Sequence, residues 1–323
     1  MGKTLKKRNR LNNNTRRCNN SVSKSNSIVC RLNPVSFEKI QTEFKQLQSL
    51  SCTQLKNISS RKTLGNNIVD FFTLKERLHT KGHQNVSFYD FWKNRNDYKN
   101  KPYVKKMLEF YENRNIDEIR KYKYIYNLYF SSIAIFKPLV SMDIYCRTKA
   151  NRVLDFTMGW GGRLIGACAR NLEAYYGIDK NHHLEKPYSN MKKVIQDLDN
   201  VNTEIHLSFQ DALDVDYSKM NYDTVLTSPP YYDIEVYRSN KNTLYKTKEE
   251  WNIKFYKPLF QKTFTHLREG GHYCLNIPEE IYKDCCIPIL GKCSFKILLK
   301  KEDRQIESKK KRYKEYIYVW EKS

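Results

Sequence analysis

Apolar positions along this chain change their spacing once, near residue 150. Between residues 34 and 130 they recur at intervals of three and four, as in Phe37, Ile40, Phe44 and Leu47 and again in Val104, Met107, Leu108 and Tyr111. That is the period of one face of a helix, so a helical region is predicted there. Beyond Lys149 short apolar runs alternate with longer amphipathic stretches. Strands are predicted over 152–156, 174–178, 205–209, 224–227 and 272–277, with one helix starting across 163–170 and another over 249–267 closed by Gly270 and Gly271. Such alternation predicts an α/β fold: a Rossmann-like parallel sheet with crossover helices on both faces. Two last strands, 295–299 and 316–320, flank a basic loop at 309–314 and are expected to pair antiparallel at one end of the sheet.

The residues ahead of this pattern differ in composition. Up to Phe37 the chain carries nine Lys or Arg, is rich in Asn and Ser, and has no acid before Glu38. A basic flexible tail over 1–36 is therefore expected, then a helical region over 37–130, then a catalytic domain over 131–323. Within the helical region the aromatics Phe88, Tyr89, Phe91 and Trp92 precede Lys93, Arg95, Lys99 and Lys101. Rings and cations so interleaved suit either base stacking with phosphate contact or a small core with a solvated basic face.

Charge narrows the partners. A formal net charge of +23 and a pI near 9.5 draw a polyanion, and nucleic acid is the first to consider, although AT-rich coding also enriches Lys, Asn, Ile and Tyr. The cysteines, Cys18, Cys30, Cys52, Cys146, Cys168, Cys274, Cys285, Cys286 and Cys293, form no CxxC pair, so free thiols in a reducing compartment are expected and a zinc site is not. No apolar run approaches the roughly 18 residues that span a bilayer, and the basic N-terminus leads into no apolar segment. The expectation is an intracellular protein that is neither secreted nor membrane-bound.

Four segments carry candidate chemistry. In residues 153–167, VLDFTMGWGGRLIGA, an apolar strand ends at Asp155 and runs through Gly159, Gly161 and Gly162 into a helix. Glycine lets backbone approach a ligand there, at the carboxyl end of the strand. Dinucleotides and phosphates use such turns too, but an acid facing the turn repels a pyrophosphate and attracts a cationic amine. A second strand closes on Asp179, where a carboxylate can accept both hydroxyls of a ribose. A third places Asp211, followed by Ala212, where an adenine amino group can be met. The fourth segment, Thr227-Ser228-Pro229-Pro230-Tyr231-Tyr232, follows the apolar strand at 224–227. Two prolines fix the backbone and leave carbonyls without ladder partners. An exocyclic amine is a poor nucleophile because its lone pair is delocalised into the ring; two acceptors on its hydrogens, at Ser228 and the Pro229 carbonyl, favour a tetrahedral nitrogen that can attack a methyl group. Tyr231 is placed to stack on a flipped base.

These motifs together resemble the amino-methyltransferases of DNA. Ser228-Pro229-Pro230-Tyr231 matches their Asp, Asn or Ser followed by Pro-Pro and an aromatic, and residues 155–161 match their cofactor motif. The resemblance covers about residues 131–323 and implies a class I methyltransferase fold binding S-adenosylmethionine (AdoMet). It implies that Asp155, Thr157, Gly159 and Gly161 cradle the methionine part, Asp179 the ribose, and Asp211 with Ala212 the adenine. Phe136-Lys137-Pro138 looks like the segment that lines the same pocket from upstream. It implies direct transfer without a metal to adenine N6 or cytosine N4, with Ser at position 228 the commoner choice for cytosine. Two departures stand out: the cofactor motif reads Asp155-Phe156-Thr157 rather than Asp-Pro-Phe, and fewer than seventy residues separate it from Ser228. That leaves no room for an inserted recognition domain, so sequence reading falls to the N-terminal helices or to the loop after Tyr232, with Glu235, Tyr237, Arg238, Lys241 and Lys246. An RNA amino-methyltransferase, a protein glutamine methyltransferase and a non-catalytic nucleic-acid-binding subunit of the same fold remain alternatives.

Overall fold

A computed structural model describes residues 24–58, 62–82, 84–130, 133–198, 200–232, 245–306 and 309–323. Strands β1 (Arg152–Asp155), β2 (Ala174–Ile178), β3 (Glu204–Ser208), β4 (Thr224–Thr227), β5 (His272–Asn276), β6 (Phe295–Ile306) and β7 (Lys309–Glu321) form one sheet in the order β3-β2-β1-β4-β5-β7-β6. The first five run parallel and β7 lies antiparallel between β5 and β6. This is the Rossmann-like class I arrangement expected. Its strand order reverses between β1 and β4, and a crevice opens outside the carboxyl ends of strands at such a switch point.

Both faces of the sheet are covered, which is why β1 and β4 read as near-continuous apolar runs. Val153, Leu226, Cys274, Ile317 and Val319 face one layer, with the helices Pro138–Arg147, Gly162–Ala169 and Glu185–Gln196. Leu154, Val225, Tyr273, Leu275, Tyr318 and Trp320 face the other, built from residues 248–265 and 279–290. The alternation is the two-residue period of a strand. The helix expected over 249–267 is α at Lys248–Trp251, π at Asn252–Tyr256 and α again at Lys257–Thr265.

The helical region divides in two. Ile40, Phe44, Leu47, Leu55, Ile68 and Val69 belong to the sheet's own core, whereas Leu74, Leu78, Phe88, Phe91, Val104, Ile119, Tyr122, Ile125, Tyr126 and Phe130 make a core of their own. Packing thus joins the helices Phe37–Gln48 and Asn66–His79 to the sheet's own layer. Phe88 and Phe91 are buried to within 1% and act as core, not as stacking platforms.

Three expectations are corrected. Residues 1–23 of the expected tail lie outside the described residues, but Lys24–Leu32 is a helix whose Ile28, Val29 and Leu32 pack on the second core, with Arg31 paired to Asp117 at 2.8 Å. The apolar positions of that helix were masked by the Lys, Asn and Ser around them. The basic segment 309–314 is strand rather than loop: its backbone pairs residue by residue with 301–306, so β6 and β7 are 12 and 13 residues long. Cysteine pairing is the third. Cys168, Cys274, Cys285, Cys286 and Cys293 are free thiols, but Cys52 is disulfide-bonded to Cys146 across a separation of 94 residues, and Cys30 is also disulfide-bonded. Spacing gave no sign of this link, which depends on the helices Cys52–Asn57 and Pro138–Arg147 packing side by side.

Candidate active site

After β1 the chain turns through Gly159 (φ +56°) and Gly161 (φ +96°) into the helix Gly162–Ala169. Both conformations are left-handed, where a side chain is strained. Gly162 is required for a different reason: a Cβ there would lie 1.7 Å from the Phe136 carbonyl oxygen. The segment at Phe136 and Pro138 therefore lies directly against the start of this helix. The Arg163 guanidinium sits 5.0 Å from the Phe136 ring centroid, a cation–π contact. From the far side the Thr73 hydroxyl donates to the Trp160 carbonyl at 3.2 Å, tying an N-terminal helix to the turn.

Asp155 lies under this turn with no solvent exposure. Its Oδ2 accepts from Arg163 Nε at 2.6 Å and from the Tyr175 hydroxyl at 2.6 Å, and its Oδ1 accepts from the Thr227 hydroxyl at 2.8 Å. Burial works against the charge of Arg163, but the Asp155 carboxylate outweighs it and the guanidinium pKa is raised. Burial first, and then Asp155, push the Tyr175 hydroxyl well above its usual range, so it remains a donor. Asp155 thus forms the floor of the turn, its oxygens already engaged with protein donors. Arg163 also cancels the charge that was expected to turn a pyrophosphate away. Thr157 is half-buried beside it, its hydroxyl 2.6 Å from that of Thr227.

Asp179, at the end of β2, accepts from Gly159 N and Asn181 N, both at 2.9 Å. One carboxylate thereby fixes the glycine turn to the loop after β2. Burial holds its carboxyl above the usual carboxylate range, the two amide hydrogen bonds oppose that, and Asp155 nearby adds to it. Asp211 is half-buried in the loop after β3, with Oδ1 accepting from Leu213 N at 3.0 Å. Ala212 beside it is buried, and its carbonyl accepts from Tyr217 at 2.8 Å.

The second half of the edge is built on β4 and β5. The Ser228 hydroxyl is 3.0 Å from that of Tyr231 and 3.3 Å from Asn276 Oδ1. Tyr231 is anchored through its hydroxyl to the carbonyl of Asn276 at 2.8 Å and to its Oδ1 at 2.9 Å. Asn276 Nδ2 donates to Glu315 Oε1 at 3.1 Å and to the Tyr316 carbonyl at 3.3 Å, which orients the amide with its oxygen toward Ser228. Since that oxygen can only accept, it takes the Ser228 hydrogen and leaves the serine lone pairs for an incoming donor. Pro229 is buried and Pro230 half-buried; the Pro230 carbonyl accepts from Tyr256 at 2.6 Å, whereas no hydrogen bond from the described residues ends on the Pro229 carbonyl. Tyr232, at φ +52°, donates its amide to the same Tyr256 hydroxyl at 3.0 Å. Tyr256 lies in the π-helical turn, a local distortion often found at functional sites.

Thr227 joins the two halves: it precedes Ser228 and bonds both Asp155 and Thr157. Sequence reasoning did not select Thr227, Arg163, Tyr256 or Asn276. Asn276 carries the same signal that singled out the acids, a polar residue ending an apolar strand (Tyr273-Cys274-Leu275-Asn276). In the expected recognition loop, 233–244 lie outside the described residues, including Glu235, Tyr237, Arg238 and Lys241; Lys246 N donates to Glu250 Oε2 at 2.7 Å.

No protein-family model matches the sequence, and no curated protein matches it. Among solved structures the chain is similar to TrmN from Thermus thermophilus, with 15% identity, 58% of this chain and 49% of that chain covered, and a TM-score of 0.35. It thus spans about half the length of that protein. An rRNA methylase from Streptococcus thermophilus (15% identity, 58% and 99% covered, TM-score 0.33) and precorrin-6y C5,15-methyltransferase from Geobacter metallireducens (14%, 58% and 87%, 0.37) are similar to the same extent. With TM-scores this low, the functional reading rests on the geometry of the site itself.

Proposed function

We propose that this chain is an AdoMet-dependent DNA methyltransferase that modifies the exocyclic amine of adenine (N6) or cytosine (N4). The observation that carries the reading is Thr227: one hydroxyl at the end of β4 binds the acid beneath the glycine turn and immediately precedes Ser228, so cofactor turn and amine acceptors share one edge. The residues fit AdoMet. Two left-handed glycines and a third with no room for a Cβ leave bare backbone over the turn, Asp179 ends the neighbouring strand with one amide bond on each oxygen and is assigned the ribose hydroxyls, and Asp211 with Ala212 follows β3 and is assigned the adenine. Phe136, whose carbonyl abuts Gly162, is assigned with Lys137 to the same pocket. When bound, AdoMet supplies an activated methyl group.

The protein's part is orientation. Ser228 and the Pro229 carbonyl accept the two amine hydrogens, which localises the nitrogen lone pair for in-line attack, and the surplus proton leaves after transfer. Tyr231, tethered at its hydroxyl, presents a restrained ring against the flipped base. The neighbouring Arg163–Asp155 pair contributes no net charge to the turn, which suits a neutral base and a cationic donor equally.

The test is incubation of purified protein with labelled AdoMet and either duplex DNA or RNA, followed by digestion to nucleosides and mass analysis. N6-methyladenine or N4-methylcytosine from DNA is expected; label in RNA alone replaces DNA by RNA, and no label with either polymer removes the enzyme reading. Ser228→Ala is expected to lower turnover by about 10²-fold while AdoMet binding persists, the scale on which loss of one oriented polar group at a reacting centre acts.

A further inference from the structure

Pro229 and Pro230 place two carbonyls in succession just after β4, and the structure treats them differently. The Tyr256 hydroxyl donates to the Pro230 carbonyl at 2.6 Å and accepts the Tyr232 amide at 3.0 Å, while no hydrogen bond from the described residues ends on the Pro229 carbonyl. A hydroxyl has one hydrogen and two lone pairs, so both contacts fit a single tyrosine. Burial pushes the Tyr256 hydroxyl well above its ordinary range, against the pull of the Tyr232 amide, and it keeps the proton that Pro230 receives. Tyr232 stands at φ +52°, a left-handed backbone that a residue other than glycine sustains only where its surroundings over-determine it. Those surroundings come from one segment, 248–256. Asn252 Oδ1 accepts from the Tyr232 hydroxyl at 3.3 Å, Lys248 Nζ lies 5.1 Å from the Tyr232 ring centroid, and the Tyr256 ring meets that ring edge-on at 5.6 Å.

That segment owes its reach to the π turn Asn252–Tyr256, in which the Lys257 amide bonds the Asn252 carbonyl five residues back. In an α-helix two residues five apart point roughly 140° away from each other, at about 100° per residue. Trp251 and Tyr256 are five apart, yet their rings stack at 5.7 Å and 28°. The wider turn brings Tyr256 round to the side of Trp251, and that side also meets Pro230 and Tyr232. A regular helix through the same residues would turn Tyr256 away from Trp251. The distortion and the hydroxyl's two bonds are therefore parts of one arrangement.

We propose that Tyr256 is a positioning residue for amine activation: by capturing the Pro230 carbonyl and the Tyr232 amide, it fixes which of the two proline carbonyls is left for the substrate amine. Ser228 is held from the other side by Asn276, so the two acceptors are set by two separate braces, one on β5 and one on the π turn. Tyr256 acts through Pro229 and not on the reacting atoms. The role rests on the amine-methylation reading above.

The experiment is Tyr256→Phe in the full chain, which keeps the ring and loses both hydrogen bonds. Hydrogen–deuterium exchange reads the turn directly, because two of the five residues 228–232 are prolines without an amide and Tyr232 supplies one of the three amides that remain. Faster exchange over 228–232 is expected, with exchange across β1, β2 and the helix Gly162–Ala169 unchanged. In steady-state assays with AdoMet and sheared duplex DNA of mixed sequence, kcat is expected to fall by about 10- to 10²-fold, the scale of a misplaced group, while KM for AdoMet stays within about twofold. Unchanged exchange over 228–232 overturns the proposal, as does an unchanged kcat. So does a KM for AdoMet that rises in step with the loss of kcat, or faster exchange spread evenly over the sheet, since either marks a purely structural residue. Absence of methyl transfer by the wild-type protein overturns the enzyme reading instead, and with it the acceptor role, while the exchange result still decides whether Tyr256 holds the turn.

Discussion

The two halves of the sheet's carboxyl edge are built on opposite principles. Around the glycine turn the polar groups are closed on one another: Asp155 has no exposure, Arg163 is nearly as buried, and Tyr175 and Thr227 donate to the same carboxylate. Around Ser228 the hydroxyls of Ser228 and Tyr231 are half-buried and neutral, joined to Asn276 by hydrogen bonds that leave acceptors over. A cofactor turn needs a backbone of fixed shape, and a buried ion pair imposes one at the cost of desolvating two charges. A site that must make a poor nucleophile attack needs oriented lone pairs, and charge would only strengthen its hold on water.

The largest effect that can break this comparison is on stability. Arg163→Met removes a guanidinium whose side chain is 4% exposed and leaves Asp155 buried with only neutral donors. A loss of about 3–5 kcal/mol is expected, since a buried charge without its partner is strongly destabilising. Urea unfolding measures it, and Arg163→Met combined with Asp155→Asn is expected to recover part of the loss. A cost below about 1 kcal/mol for the single variant would mean that the pair does not shape the turn.

A smaller and more selective effect is expected from Asn276→Leu. The near-isosteric change removes the acceptor for Ser228 and Tyr231 and the donor to Glu315. About 1–3 kcal/mol of stability is expected to go, because Glu315 Oε1 and the Tyr316 carbonyl lose their donor, while the Tyr231 hydroxyl keeps the main-chain carbonyl of residue 276. Methyl transfer is expected to fall by about tenfold or more, the equivalent of 1.4 kcal/mol in the barrier, while the AdoMet dissociation constant stays put. If cofactor affinity falls in step with turnover, the two halves are one unit and the division drawn above is wrong.

How far these halves were legible in the sequence follows from the same contrast. Gly159, Gly161, Asp179 and Ser228-Pro229-Pro230-Tyr231 announce themselves because each is an unusual residue at a strand end, and strand ends are readable from apolar runs. β2 and β4 run over the predicted residues, and the other parallel strands lie within one residue of prediction at each end. Arg163 is invisible because a single Arg in an apolar helix looks like a surface residue until the fold sets it beside Asp155. The Cys52–Cys146 bond is invisible for the same reason, being a property of two packed helices. The segment 309–314 reads as a loop because lysine-rich sequence signals a turn in solvent, and only its backbone ladder with residues 301–306 makes it a strand.

The smallest effect concerns titration and separates the halves without any substitution. Asp179 is held above the ordinary carboxylate range, first by burial and also by Asp155, with the amides of Asn181 and Gly159 pulling the other way. Its ionised form accepts ribose hydroxyls best, and binding them would favour ionisation. AdoMet affinity is therefore expected to be full at neutral pH and to fall as pH drops through this raised pKa, at a higher pH than an exposed aspartate would show. The stability contribution has the opposite sign. A carboxyl whose folded-state pKa is raised stabilises the fold when protonated, and that contribution is lost as pH rises through the folded-state value. Calorimetric titrations of AdoMet across the acid range check the first statement, with Asp179→Asn expected to bind weakly and with little pH dependence. The Ser228 half presents a hydroxyl and a carbonyl as its acceptors, so duplex binding measured over the same range is expected to keep its pH profile in the Asp179→Asn variant. A shift of that profile in step with AdoMet binding would show that Asp179 acts across Thr227 on both halves.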